Sequence, residues 1–195
     1  MIAKKTLKLS LKSLHDFAKK RLPDEVLRDL DDRDECPLEI VRHMCSPDNL
    51  GIQLLFIPEE YGGLGGGAFD VYVICEQMAR IDLGIATSVL ATFLGSDPIT
   101  VGATPEQKKL WLSRIAEEGL LFAYGATEPE AGSDLSALRT TADRVEKEDR
   151  IVGYKINGSK QWISNGGIAG AYTILANTPA GPSWFIVESG AKGFL

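Results

Sequence analysis

Over the first 120 positions apolar residues recur at three- and four-residue steps, and beyond them short β-branched and aromatic runs alternate with glycine and asparagine turns. Leu7, Leu11, Leu14, Phe17 and Ala18 form the inner stripe of a first helix, with lysines on its other side. An acidic segment from Asp24 to Glu35 follows, punctuated by Pro23 and Pro37. Pro37 suits a first helical turn, with Leu38, Ile40, Val41 and Met44 behind it as a buried face. Residues 68–81 and 85–94 read as two further helices, apolar on most sides and therefore interior. The last helix is marked at both ends: Thr104 caps it, Pro105 fits its first turn, Gln107 closes a capping box and Gly119 offers a stop. About five helices are expected, then strands.

Residues 120–126, 139–145, 150–156, 161–164, 172–177 and 183–188 all suit strands. Asn157-Gly158 and Asn165-Gly166 are two-residue hairpin signals. Several short strands joined by such turns indicate an antiparallel sheet or barrel. After Gly193-Phe194-Leu195 no element returns to close that sheet. The expected fold class is α+β in two domains: an all-α helical domain over residues 1–120, then a truncated antiparallel β-barrel domain over 121–195. No internal repeat is present.

Composition narrows the function classes. The chain has 195 residues, 44% hydrophobic and 25% charged, as a globular protein does, and its formal net charge is −6. An anionic chain lacks the basic footprint of a nucleic-acid binder. The longest uncharged apolar stretch near the middle of the chain, between Asp82 and Asp97, has 14 residues, short of the roughly 20 that a transmembrane helix needs. It reads as a core helix, so no transmembrane segment is expected. Cys36, Cys45 and Cys75 are odd in number and form no C-x-x-C, which argues for buried or half-buried thiols in a reducing compartment. His15 and His43 lie in no ligand-like cluster. The basic N-terminal run (Lys4, Lys5, Lys8, Lys12, Lys19, Lys20 and Arg21) reads as the solvated face of the first helix, with an organelle presequence as the alternative, although lysine replaces the usual arginine. A cytoplasmic protein is expected, with the mitochondrial matrix as the alternative.

Three segments are candidates for chemistry. Gly63-Leu64-Gly65-Gly66-Gly67-Ala68 meets the loose dinucleotide-binding pattern, with Asp82 near the spacing of a ribose-binding acid. It lacks the strand that must run into the glycine turn, so it reads as an interhelical loop whose glycines could still let backbone approach a ligand. In the second segment, Thr127-Glu128-Pro129-Glu130-Ala131-Gly132-Ser133-Asp134, Thr127 and Ser133 offer hydroxyls, and amides around Gly132 could cradle an anion such as a pyrophosphate; on composition alone it reads as an ordinary loop with an Asx or Ser turn. The third runs from Asn157 to Gly166 and sets Trp162 between two tight turns. There the indole either joins the core or presents its face to a planar ligand.

Together, T-E-P-x-A-G-S-D and N-G-x-K-x-W-I-[ST]-N resemble the signature of the acyl-CoA dehydrogenase family of flavoproteins. Phe56 to Gly63 and Gly181 to Glu188, with Lys192-Gly193-Phe194, resemble further segments of that family. The resemblance implies a helical N-terminal domain, a β-barrel middle domain and a C-terminal helical bundle. It also implies FAD as cofactor, with Tyr124, Ala126, Thr127, Gly132, Ser133, Trp162, Ile163 and Ser164 as cofactor-binding residues. Thr127 falls near the pyrimidine edge of the isoalloxazine. Gly132 and Ser133 fall near the pyrophosphate or ribityl region, with Ser133 also within reach of acyl-CoA, and Trp162 lies beside the ring. Ile163 supplies backbone contacts, and the Ser164 hydroxyl stands near flavin N5.

The implied reaction is α,β-dehydrogenation of an acyl-CoA thioester, with electron-transfer flavoprotein as electron acceptor and a homo-oligomeric full-length protein. The family's base is a glutamate in the C-terminal bundle, which this chain does not reach, so no catalytic residue is assigned and inactivity of the chain alone is expected. Glu128 is rejected as a substitute because the motif holds it as a structural residue. Acyl-CoA oxidases and related flavin monooxygenases share the same cradle and remain alternatives. A non-catalytic nucleotide- or partner-binding module is the alternative of another class.

Overall fold

The computed structural model describes residues 2–195. Six α-helices come first: α1 Lys4–Arg21, α2 Asp24–Asp32, α3 Leu38–Cys45, α4 Ala68–Ile81, α5 Leu83–Gly102 and α6 Pro105–Glu118. Five strands follow: β1 Phe122–Gly125, β2 Thr141–Lys147, β3 Arg150–Asn157, β4 Ala171–Thr178 and β5 Gly181–Glu188. In α1, Leu14, Phe17 and Ala18 are buried while the basic residues stay exposed. The expected capping box of α6 forms in both directions: Gln107 N–H donates to Thr104 Oγ1 at 3.3 Å, and Thr104 N–H to Gln107 Oε1 at 3.0 Å. Gly119 then ends the helix in the left-handed region.

Helix α5 organises the molecule. It runs 20 residues, through Asp97 and Pro98, well past the expected end at Leu94. By length and composition it could cross a membrane; in this fold it packs against α4, α6 and β1, burying Ile85, Ala86, Val89, Ala91, Thr92, Gly95, Ser96 and Ile99. Helix α4, expected to be interior on most sides, is not: Phe69 and Tyr72 are exposed, and only Asp70, Ile74 and Met78 are buried. Its apolar residues lie around the whole helix, but neighbours cover one face.

Helices and sheet share one interface. Phe122 N–H donates to Thr92 Oγ1 at 3.2 Å, and Thr173 Oγ1 donates to the Gly95 carbonyl at 2.9 Å. Gly95 permits this approach, since a Cβ there would stand 2.9 Å from the Phe122 Cβ. A single apolar cluster joins Ile57, Ile99, Leu112 and Ile115 to Phe122 and Ala171 of the sheet.

The sheet is open among the described residues, and its two hairpins, β2–β3 and β4–β5, are antiparallel. The joins between them are parallel: β1 lies along the first half of β4, and β2 meets the end of β4 at Thr141↔Asn177. Hairpin signals report neighbours in sequence and carry nothing about such long-range joins. The β2–β3 turn uses Glu148 and Asp149, both with positive φ (52° and 57°), as a tight two-residue hairpin turn demands. Asn157-Gly158 makes no hairpin. Asn157 is the last residue of β3, and Gly158 packs so closely on Thr140 that a Cβ would meet Thr140 Oγ1 at 2.3 Å.

Candidate functional site

Residues 161–164 form no strand. Trp162 has φ 58° and Asn165 φ 63°, and two left-handed residues this close prevent an extended run. The segment is a loop, hydrogen-bonded through Gln161 N–H to the Thr127 carbonyl at 2.9 Å and through Asn165 Nδ2 to the Ser88 carbonyl at 2.7 Å. It therefore crosses the end of β1 and touches α5. Trp162 does not join the core: 82% of it is exposed.

This crossing creates a cleft of about 260 Å³ lined by Tyr124, Thr127, Trp162 and Ser164 together with Ala91 and Leu94 of α5. Two aromatic rings, three hydroxyls (one of them the Tyr124 phenol) and an apolar helix face suit a planar heterocycle with hydrogen-bonding edges. Tyr124 packs against Trp184 with ring centroids 4.7 Å apart. Burial first, then the negative charge of Asp97, hold its phenol above the usual range, so it stays a neutral donor.

Beneath the cleft lies a buried carboxylate. Glu128 accepts from the Arg139 N–H at 2.7 Å, the Thr140 N–H at 3.0 Å, the Thr140 hydroxyl, and Lys160 Nζ at 2.8 Å. Burial alone would raise its pKa. The hydrogen bonds from Lys160, Thr140 and the two backbone amides outweigh that and bring it down to about 2. So acidic a carboxyl is a poor general base near neutrality, and all its oxygens face protein donors. Glu128 is a strut.

The amides of Gly132 and Ser133 have no hydrogen-bond partner among the described residues, and both residues are exposed, with open space around the Gly132 Cβ position. They sit on the turn after Thr127, outside the cleft wall; Ala126 and Ile163 are also absent from that wall. Ala126 is buried, and its carbonyl accepts from Lys160 Nζ at 3.1 Å. Ile163 turns inward onto Ala123, Ala169, Tyr172 and Ile174. Of the eight residues singled out from sequence, Tyr124, Thr127, Trp162 and Ser164 thus share the cleft; Gly132 and Ser133 offer a separate, open turn beside it.

The family model for the N-terminal domain of acyl-CoA dehydrogenase matches residues 5–119, and that for its middle domain matches residues 123–195. The chain belongs to the acyl-CoA dehydrogenase family. An acyl-CoA dehydrogenase of Bacillus subtilis is 34% identical over 190 residues, covering 94% of this chain and 48% of that protein. The solved butyryl-CoA dehydrogenase of Megasphaera elsdenii superposes with TM-score 0.86 at 32% identity, covering 99% of this chain and 51% of that one. A Bacillus anthracis acyl-CoA dehydrogenase solved in complex with FAD gives TM-score 0.78 at 31% identity, covering 98% of this chain and 32% of that one. The chain spans about half the length of the curated relatives it matches.

Within this acyl-CoA dehydrogenase chain the cleft straddles both domain matches: Ala91 and Leu94 belong to the first, the other four lining residues to the second. Sequence reading missed the two helix residues, since a run of apolar positions on an interior helix carries no mark of where a cleft opens. The glycine-rich loop takes no part. Its Leu64, Gly65 and Gly66 amides donate to the carbonyls of Leu54 (2.6 Å), Ile57 (2.9 Å) and Leu55 (2.9 Å), and the Gly67 amide donates to Asp70 at 2.9 Å. A Cβ on Gly63 would lie 1.9 Å from the Ile57 carbonyl oxygen. These glycines admit their own backbone, not a ligand, and Asp82 caps α5 through Ile85 N–H at 2.7 Å.

Proposed function

We propose that these two domains hold FAD and serve α,β-dehydrogenation of an acyl-CoA thioester in a protein that supplies the catalytic base from elsewhere. The convergence of Tyr124, Thr127, Trp162 and Ser164 on one cleft carries this reading. The hydroxyls of Thr127 and Ser164 are placed to hydrogen-bond the heteroatom edge of a flavin ring, with Trp162 and Tyr124 beside it. The free amides of Gly132 and Ser133, on the adjoining turn, suit the pyrophosphate, and Ser133 is within the same reading a contact for acyl-CoA. Bound FAD supplies the acceptor for the β-hydrogen. Lys160 and Glu128 are already paired, so neither moves the α-proton.

Electron-transfer flavoprotein is the proposed electron acceptor and a homo-oligomer the proposed working state, both on family membership. The proposed domain boundary falls at residue 120, and the proposed location is cytoplasmic, with the mitochondrial matrix as its alternative.

The test is a titration of the purified chain with FAD, followed by the visible flavin spectrum and by tryptophan fluorescence, to which Trp111 and Trp184 contribute beside Trp162. A saturable change in the flavin spectrum that is weakened in Trp162→Ala and in a Thr127→Ala/Ser164→Ala double variant is expected. A wild-type chain that leaves FAD unperturbed at millimolar concentration rejects the cofactor assignment. Addition of acyl-CoA and an artificial electron acceptor should give no turnover. Turnover by this chain would refute the placement of the base outside it.

A further inference from the structure

We propose that Lys160 is a positioning residue: it holds Thr127 and Trp162 to the same cleft, with Glu128 as its fixed anchor. The ammonium reaches across Thr127, donating to the Ala126 carbonyl at 3.1 Å and to Glu128 Oε1 at 2.8 Å. The next residue, Gln161, donates its N–H to the Thr127 carbonyl at 2.9 Å. Acceptors on three successive residues, 126 to 128, therefore answer to residues 160 and 161. The Thr127 hydroxyl makes no hydrogen bond among the described residues and lines the cleft.

Trp162 needs such support. Its backbone lies in the left-handed region, which a β-carbon disfavours, and its indole stacks on no aromatic ring among the described residues. No strand ladder runs through residues 158–165. Side-chain packing cannot hold so exposed an indole, so its neighbours in the chain must: the Lys160 ammonium and the Gln161 N–H before it, Ile163 and Asn165 after it. Stability alone does not require this pair, since apolar side chains at 128 and 160 together would avoid the cost of burying either charge. What an apolar chain cannot do is donate to residues 126 and 128 together. Glu128 is fixed in turn by the amides of Arg139 and Thr140, just before β2. The cleft thereby inherits its geometry from the sheet.

The proposal uses the FAD reading for only one of its two readouts. The first is backbone 15N relaxation of the chain without ligand. In the wild type, Thr127 and Trp162 should be as rigid as β4, with order parameters of about 0.85. In Lys160→Met both should fall below about 0.6, while β4 and α5 and the far-ultraviolet circular dichroism stay unchanged; Lys160→Arg should restore them. The second readout is FAD affinity, expected to weaken at least tenfold in Lys160→Met and to recover in Lys160→Arg.

Unchanged order parameters at residues 127 and 162 in folded Lys160→Met would overturn the proposal and leave Lys160 a stabilising group only. If Lys160→Met does not fold, Glu128→Gln decides by the same measurement: loosening at both sites supports the positioning role, and its absence overturns it. A wild-type chain that binds no FAD rejects the cofactor assignment, while the relaxation data still decide the role of Lys160.

Discussion

Lys160 Nζ and Glu128 Oε1 stand 2.8 Å apart, with 10% and 2% of their side chains exposed. This ion pair joins the loop that carries the Thr127 hydroxyl to the loop that carries the Trp162 indole. A buried pair of this kind is costly to break one-sidedly, because the remaining charge has no partner. Its energetics should be visible in the acid limb of stability.

Glu128 titrates near 2 when folded and near about 4.3 when unfolded. A lowered folded value contributes stability that is complete above the unfolded pKa and is lost as pH falls toward the folded one. The window is therefore about pH 4.3 down to about pH 2, and the contribution is about 3 kcal/mol. Glu128→Gln cannot lose it. Urea unfolding of both proteins should show the wild-type advantage shrinking by about that amount between about pH 6 and about pH 2. A gap independent of pH would mean that this carboxylate is not the group held ionised.

Two glycines of α5 should respond with opposite sign. At Gly95 a methyl would press on Phe122 and on the backbone of Ala123, so Gly95→Ala should cost about 1–3 kcal/mol. At Gly102, the last residue of α5, no atom lies within 4 Å of the Cβ position, and Gly102→Ala should gain up to about 0.5 kcal/mol from helix propensity alone. Denaturant midpoints of the two single variants decide it.

Trp162 should separate binding from stability. The exposed indole contributes little to folding, and glycine at this left-handed position relieves backbone strain. Trp162→Gly is expected to be as stable as wild type or more so, by up to about 1 kcal/mol. Its FAD affinity should nevertheless fall at least tenfold. A marked drop in melting temperature would show that the indole packs against protein after all.

Thiol reactivity should follow burial, one site at a time. Cys36 is exposed, contrary to the sequence-based expectation of buried or half-buried thiols, because it lies in the turn between α2 and α3. Burial raises the Cys75 pKa, with a weaker opposing hydrogen bond, and pushes Cys45 up to about 12. A disulfide reagent at about pH 8 should modify Cys36 first, Cys75 more slowly and Cys45 only in denaturant, since the thiolate is the nucleophile. Mass spectrometry of time points reads the order.

Local order was legible wherever a few adjacent residues suffice to set it. The Thr104/Gln107 capping box, the stripe of α1, and strands β3 and β5 depend on caps, periodicity and β-propensity, and these act over one or two turns of chain. The motifs around Thr127 and Trp162 were legible as a cofactor site only when taken together, through their resemblance to the acyl-CoA dehydrogenase signature; residue types alone left an ordinary loop and a core indole as readings. Their meeting was not legible as geometry. It depends on a parallel β1–β4 join between residues 122–125 and 171–174, on Gly95 letting α5 approach that strand, and on Lys160 reaching back 32 residues to Glu128. Contacts of that range are set by packing of the whole chain, where shape and desolvation act together. For the same reason Trp162 read as part of a strand, although long-range hydrogen bonds hold it in a left-handed loop, and the apolar α4 read as interior although no neighbour covers its outer face.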